Sequence, residues 1–400
     1  MMQQQISKMR RVAAGAALTL AVVLAPAIAL TQSAQAQTYK VLHEFTGAPD
    51  GAYPYGGLVQ DAAGNLYGTT SFGGSSYFGA VFEVDASGTE SVLYSFTGAT
   101  AGAYPFAGLI QDTVGNLYGT TNEGGAFTYG VVFKLDTSGN EKVLHSFSAN
   151  YTDGQDPEGG LVLDKNGDLY GTTNEGGRHN LGTVFRVDAT GKEKVLHTFA
   201  GGPKDGAYPF LTSLLLANGN FYGVTPNGGA SNYGMVYRMS KKGKVTVLYS
   251  FTGGTNDGCY PHGTPLIDSD GNLYGSTSNC GASGKGTVWE LSAGNVETVL
   301  HSFAGGSSDG AYPYAGVIMD TAGNLYGVTV NGGGTLNVGA VYELTPGSNG
   351  TWTETILHGF GQDGAYPYGG LIQDTNGNLY GTTYNSTQID TWGTVWEVTP

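Results

Sequence analysis

Apolar and polar positions alternate along this chain in short blocks. Between Ala107 and Phe147 the blocks AGLIQD, NLYGTT, GVVFKL and EKVLHSF are six or seven residues long, with glycine-bearing polar segments between them. Valine, isoleucine, tyrosine and phenylalanine dominate the blocks, which is the composition of strands. No segment sustains a helical period. The connections Asp112–Asn116 (DTVGN) and Asp136–Asn140 (DTSGN) place glycine where a tight hairpin wants positive φ. Their leading aspartates are suited to accept the N–H groups of the turn.

The four-block pattern recurs. LYGTT or a near relative begins at Leu66, Leu117, Leu169, Phe221, Leu273, Leu325 and Leu379, at intervals of 51, 52, 52, 52, 52 and 54 residues. Seven units of four antiparallel strands predict an all-β, seven-bladed β-propeller over residues 37–400. The segment YKVLHEF from Tyr39 matches a fourth strand, whereas GTVWEVTP from Gly393 matches a third strand with no fourth after it. Pairing the two is expected to close the ring and remove the edges of an open array. The GGLVQD-type strand is expected innermost and the VLHSF-type strand outermost. The long links, such as TGAPDGAYPY and Asn122–Gly130 (NEGGAFTYG), then share one face. That loop-rich face is the better place for binding.

Residues 1–36 differ: a basic start, an alanine-rich apolar run and SAQAQ. They read as an export signal cut after Ala36, with a retained membrane anchor as the rival. Loss of Lys8, Arg10 and Arg11 with the signal takes the formal charge from −15 to −18. Nucleic acid and anionic lipid, which need a basic footprint, are therefore not expected partners. A secreted or periplasmic monomer, with no membrane attachment after cleavage, is expected. The 68 glycines, about two and a half times the usual share, show no Gly-X-Y period.

Cys259 and Cys280, the only cysteines, flank the two inner strands of one unit and are expected to form a disulfide. His43, His145, His197, His301 and His358 share one slot with Tyr94 and Tyr249 in the outer strand, a packing position with a polar tip. Asp50, Asp205, Asp257, Asp309 and Asp363 precede glycine in the long link. They read as turn-forming residues and, less directly, as separate weak calcium sites, since the D-x-[DN]-x-[DN]-G spacing is absent. No cofactor is otherwise indicated. Tyr67, Tyr118, Tyr170, Tyr222, Tyr274, Tyr326 and Tyr380 are expected to pack between blades. Tyr53, Tyr104, Tyr208, Tyr260, Tyr312 and Tyr366 each precede proline, which is expected to hold them extended. They either wedge blades together or present rings to a ligand. Glu123 and Glu175, in NEGG loops, are further ligand-binding candidates. No G-x-S-x-G, H-E-x-x-H or Walker loop occurs.

On GGLIQDTNGNLYGTT with the following GTVWEVTP, on GNLYGTT and on the recurring VLHSF, the chain resembles the GloVer family of tandem repeats from about Tyr39 to Pro400. That resemblance implies an exported bacterial propeller and brings no catalytic residues. Some family members carry surface-sorting tails that this sequence lacks, so a released or periplasmic protein is expected. The expected function is a binding or scaffold module that contacts a protein or an extracellular polysaccharide through its loop-rich face. The alternative is an enzyme acting on a glycan or cell-wall component at the central mouth.

Overall fold

The computed structural model describes residues 37–388 and 391–400, so the export signal expected over 1–36 lies outside the described residues. Seven four-stranded antiparallel sheets form a β-propeller. The second blade is typical, with strands Ile110–Gln111, Leu117–Thr121, Val131–Leu135 and Glu141–Ser146 from the axis outward. In the last sheet Thr38–Glu44 pairs antiparallel with Thr394–Thr399, with Tyr39 opposite Val398 and Val41 opposite Trp396. The first and last blades also share a core, in which Phe45, Leu58 and Phe82 pack with Val395. Among the described residues no helix is long and apolar enough to cross a membrane.

The innermost strands are shorter than the sequence pattern suggests. Most contribute only two residues to the ladder; Gly258–Ile267 is longer because it runs on from the long link, with a register shift between His262 and Leu266. The cause of the shortness is the small residues before these strands, a glycine pair at Gly56–Gly57, Gly159–Gly160 and Gly369–Gly370 and a single glycine at Gly108 and Gly316. A Cβ on Gly56 would lie 2.4 Å from the Gly108 nitrogen, so backbones of adjacent blades touch there without side chains between them. Hydroxyls of the second strand then stitch the blades: Thr69 Oγ1 donates to Ala107 O (2.8 Å), and Thr382 Oγ1 donates to Gly56 O (3.1 Å).

The glycine of LYGTT has a different reason. A Cβ on Gly119 would meet the ring of Phe133 at 2.7 Å, because the third-strand aromatic lies flat over that glycine. The equivalent rings of Phe82, Phe185, Tyr237, Trp289, Tyr342 and Trp396 are fully buried. Cores form between blades, as where Val132 and Phe147 meet Leu161, Leu169 and Phe185 of the next. The strand tyrosines join these cores, Tyr67 and Tyr118 among them. Their hydroxyls lock the opposite end of the blade: Tyr118 Oη donates to Asp112 (3.0 Å), which also caps the N–H groups of Val114 and Asn116.

Candidate functional site

In every blade the two long links pair with each other. Ala103 bridges Glu123, Gln155 pairs with Glu175, and Ala311 pairs with Asn331. The residue before proline follows directly, and here the sequence reading needs correction. Tyr53, Tyr104, Tyr208, Tyr260, Tyr312 and Tyr366 are not extended; all have φ between 50° and 59°, as does Asp156 at 54° in the third unit. Tertiary hydrogen bonds override the local preference. The Tyr104 N–H donates back to Phe78 O of the preceding blade (2.9 Å), while its carbonyl accepts from Asn122 N of its own blade (3.0 Å). The left-handed turn points the two groups to opposite sides, which an extended residue cannot do. The rings lie against neighbouring loops: Tyr53 stacks on Tyr384 at 4.7 Å, and Tyr104 packs on Phe72 at 4.9 Å. Tyr208 is the most exposed, at 38%.

The residue after each proline faces the axis. Around it run Phe210, His262, Tyr314, Tyr368, Tyr55 and Phe106, with successive ring centroids 6.2, 4.8, 5.6, 4.5 and 5.5 Å apart. The seventh position is Glu158. Tyr55, Phe106, Glu158, Tyr314 and Tyr368 of this circle line a cavity of about 370 Å³ whose wall is largely the glycines and leucines around the inner strands. Among the described residues its lining contains no Lys or Arg. The phenols of Tyr55 and Tyr368 have no hydrogen-bond partner among the described residues and face one another and that of Tyr314.

Glu158 breaks both the aromatic circle and its neutrality. Burial, then the charges of Asp156 and Glu175, push its carboxyl up to about 8. Burial, then Glu175 and Glu123, push Asp156 up to about 6. The structure thus brings Glu123 and Glu175, read separately from the sequence, into one acidic corner with two residues that reading passed over. The available signal was the departure of the third unit, QDPEGG where every other unit has Tyr-Pro followed by an aromatic residue or histidine. His262, buried and donating from Nδ1 to Phe210 O (3.3 Å), is pushed down to about 4 by burial and is neutral.

The aspartates of the long link sit farther out, each with the outer-strand residue of its own repeat. His43 meets Asp50 at 3.4 Å, His197 meets Asp205 at 3.0 Å, His301 meets Asp309 at 3.2 Å and His358 meets Asp363 at 2.9 Å. Tyr249 Oη donates to Asp257 (3.0 Å). The same carboxylates cap the link, as where Asp257 accepts from Thr252 N and Gly258 N, both at 2.7 Å. Four residues ahead of each histidine, the next blade's outer strand adds Glu193 to His145 and Asp153, and Glu354 to His301 and Asp309. Donor atoms within each of these two groups lie within 4.8 Å of one another, close enough to hold a metal ion. In the other units that slot is Glu90, Glu141, Glu297, Val245 or Tyr39, and Tyr39 stacks on His358 at 3.7 Å. Each group serves its own blade junction, and they do not converge. Cys259 and Cys280 form a disulfide with 5.4 Å between Cα atoms, at the loop-rich end of the fifth blade.

The Gloeobacter/Verrucomicrobia repeat model matches residues 29–225 and 209–400. No curated protein matches the chain. Among solved structures it is similar to the extracellular domain assigned to the hybrid two-component system BT4673 of Bacteroides thetaiotaomicron, at 12% identity and TM-score 0.56. That match covers 90% of this chain and 39% of the other, so the chain spans about two fifths of that domain. It is also similar to a Bacteroides uniformis protein assigned as a 6-phosphogluconolactonase, at 15% identity and TM-score 0.52, covering 84% of this chain and 94% of the other. At these identities the likeness is one of fold.

Proposed function

We propose that this chain, which belongs to the Gloeobacter/Verrucomicrobia repeat family, is an exported module that binds a glycan at its axial mouth. The observation that carries this reading is the set of four aromatic residues and one carboxyl lining a cavity of about 370 Å³. Sugar rings offer apolar C–H faces and a rim of hydroxyls. Aromatic walls suit the first, and unpaired phenols with a carboxyl suit the second. A phosphorylated sugar, by contrast, meets no counter-charge there, so the lactonase substrate named for the similar structure is not adopted.

Binding of oligosaccharides on a glycan array, followed by calorimetry on the best ligand, tests this. Tyr314→Phe and Tyr368→Phe keep the rings and remove one hydroxyl each. Each is expected to weaken binding by about 3- to 10-fold with the melting temperature unchanged. Absence of binding to any glycan, or affinities untouched by both variants, overturns the reading.

A second reading is favoured by the unequal carboxyls of Asp156 and Glu158, one raised to about 6 and the other to about 8. Neighbouring acids held at different protonation states are what acid–base chemistry on a glycosidic bond uses. Mass spectrometry of a bound oligosaccharide after prolonged incubation separates the two: intact ligand supports binding alone, and shortened products support catalysis.

A further inference from the structure

The corner where the aromatic circle breaks has more acceptors than donors. Glu158 Oε1 accepts from Asn122 Nδ2 (3.1 Å), but its Oε2 is buried and unpartnered. Asn174, whose N–H holds the Asp156 carbonyl at 3.0 Å, likewise has a buried and unpartnered side-chain oxygen. Glu123 and Glu175 add two more carboxylates from the paired loops, and no Lys or Arg lines the cavity among the described residues. A partner that satisfies this corner brings hydrogen-bond donors and positive charge. An ammonium group has three donors and no acceptor. The flanking rings do not oppose it, because aromatic faces attract cations.

We infer that the mouth selects sugars carrying a free amino group, with Asp156 and Glu158 as counter-charge and the rings of Tyr55 and Phe106 as the adjoining apolar wall. This rests on the glycan-binding reading of the same mouth. A hydroxyl in the same place pairs with only part of the corner and leaves its charge uncompensated. An acetylated amine is bulkier, neutral and carries an acceptor of its own into a corner already rich in acceptors.

The titratable groups that face Glu158 are Asp156, Glu175 and the phenol of Tyr55; Leu211 and Ser213 approach from the next blade without charge. Bound ammonium favours the ionised carboxylates, so affinity rises as pH climbs through the region where Asp156 and then Glu158 lose their protons. It falls again when the amine itself deprotonates.

The test compares oligomers of glucosamine and of N-acetylglucosamine of equal length, by calorimetry on the purified protein at low salt. The amino form is expected to bind at least about tenfold more tightly at neutral pH, with a bell-shaped pH profile. The acetylated form is expected to lack the rising limb. Glu158→Gln and Asp156→Asn, each checked for an unchanged melting temperature at pH 5, are expected to bring the two ligands within about threefold. Equal affinity for both oligomers, or a preference that survives both substitutions, overturns the amino-group inference while leaving glycan binding intact. Failure to bind these and every other glycan overturns both.

Discussion

The carboxyls at the blade junctions are held in two opposite ways. Burial tends to raise Asp50, Asp309 and Asp363, but hydrogen bonds from histidine and from the link outweigh it and leave all three below the ordinary range. Burial followed by the charge of the nearby aspartate instead pushes Glu193 and Glu297 up to about 7. The signs follow from proton linkage. The lowered aspartates contribute stability above their unfolded pKa, and it is lost as pH falls through their folded values. The raised glutamates bind protons more tightly when folded, so their contribution is complete below about 4.5 and is lost as pH climbs through about 7. Melting temperature is therefore expected to peak near pH 5–6 and to decline towards pH 9. Glu193→Gln and Glu297→Gln are each expected to reduce that decline by about 2 °C in thermal unfolding followed across pH. An unchanged slope in both variants contradicts the assignment. Little of this was legible beforehand. The histidine slot and the Asp-Gly links were each visible as repeats, yet only pairing between strand and link shows that they meet. Asp156 and Glu158 were harder still, since a departure from a repeat reads as noise until its neighbours in space are known.

At the scale of the element, short apolar blocks of strand composition and Asp-x-x-Gly turns located the strands and their order. They overestimated the innermost strand, because the sequence does not show that its glycines touch the adjacent blade in place of their own ladder. The pre-proline tyrosines failed for a related reason: a local steric preference gave way to hydrogen bonds reaching into two blades. Three glycines separate these causes. Gly56→Ala drives a methyl to 2.4 Å from the Gly108 nitrogen and 2.5 Å from the Ala107 carbonyl carbon, where only backbone is present to yield. Gly119→Ala meets side chains, Phe133 at 2.7 Å and Leu109 at 2.9 Å, which can shift. Gly370→Ala meets nothing within 4 Å and needs no positive φ. Expected losses in denaturant unfolding are more than about 4 kcal/mol for Gly56→Ala, about 1–3 kcal/mol for Gly119→Ala, and within about 0.5 kcal/mol for Gly370→Ala. A reversed order for the first two contradicts the account of backbone contact at the axis.

For the whole molecule, the seventh sheet is the one assembled from both ends of the chain, and its outer strand carries more than its own ladder. Tyr39 fills the slot that is glutamate at Glu90, Glu141, Glu193, Glu297 and Glu354. There it stacks on His358 with rings 3.7 Å apart, packs beside Trp396 and donates to Asp363 O at 3.0 Å. Removing Thr38–Glu44 thus exposes the edge of Thr394–Thr399, opens the junction beside it, and loosens a structure whose other blades each depend on two neighbours. A chain that keeps residues 1–37 but lacks 38–44 is expected to melt at least about 10 °C lower, or to aggregate. Because the missing piece is a single strand, a synthetic TYKVLHE peptide added during refolding is expected to restore the melting temperature in part. Its scrambled counterpart is expected to restore none. A deletion that costs only a degree or two, with no response to the peptide, means that packing of the first blade on the last holds the ring without this strand.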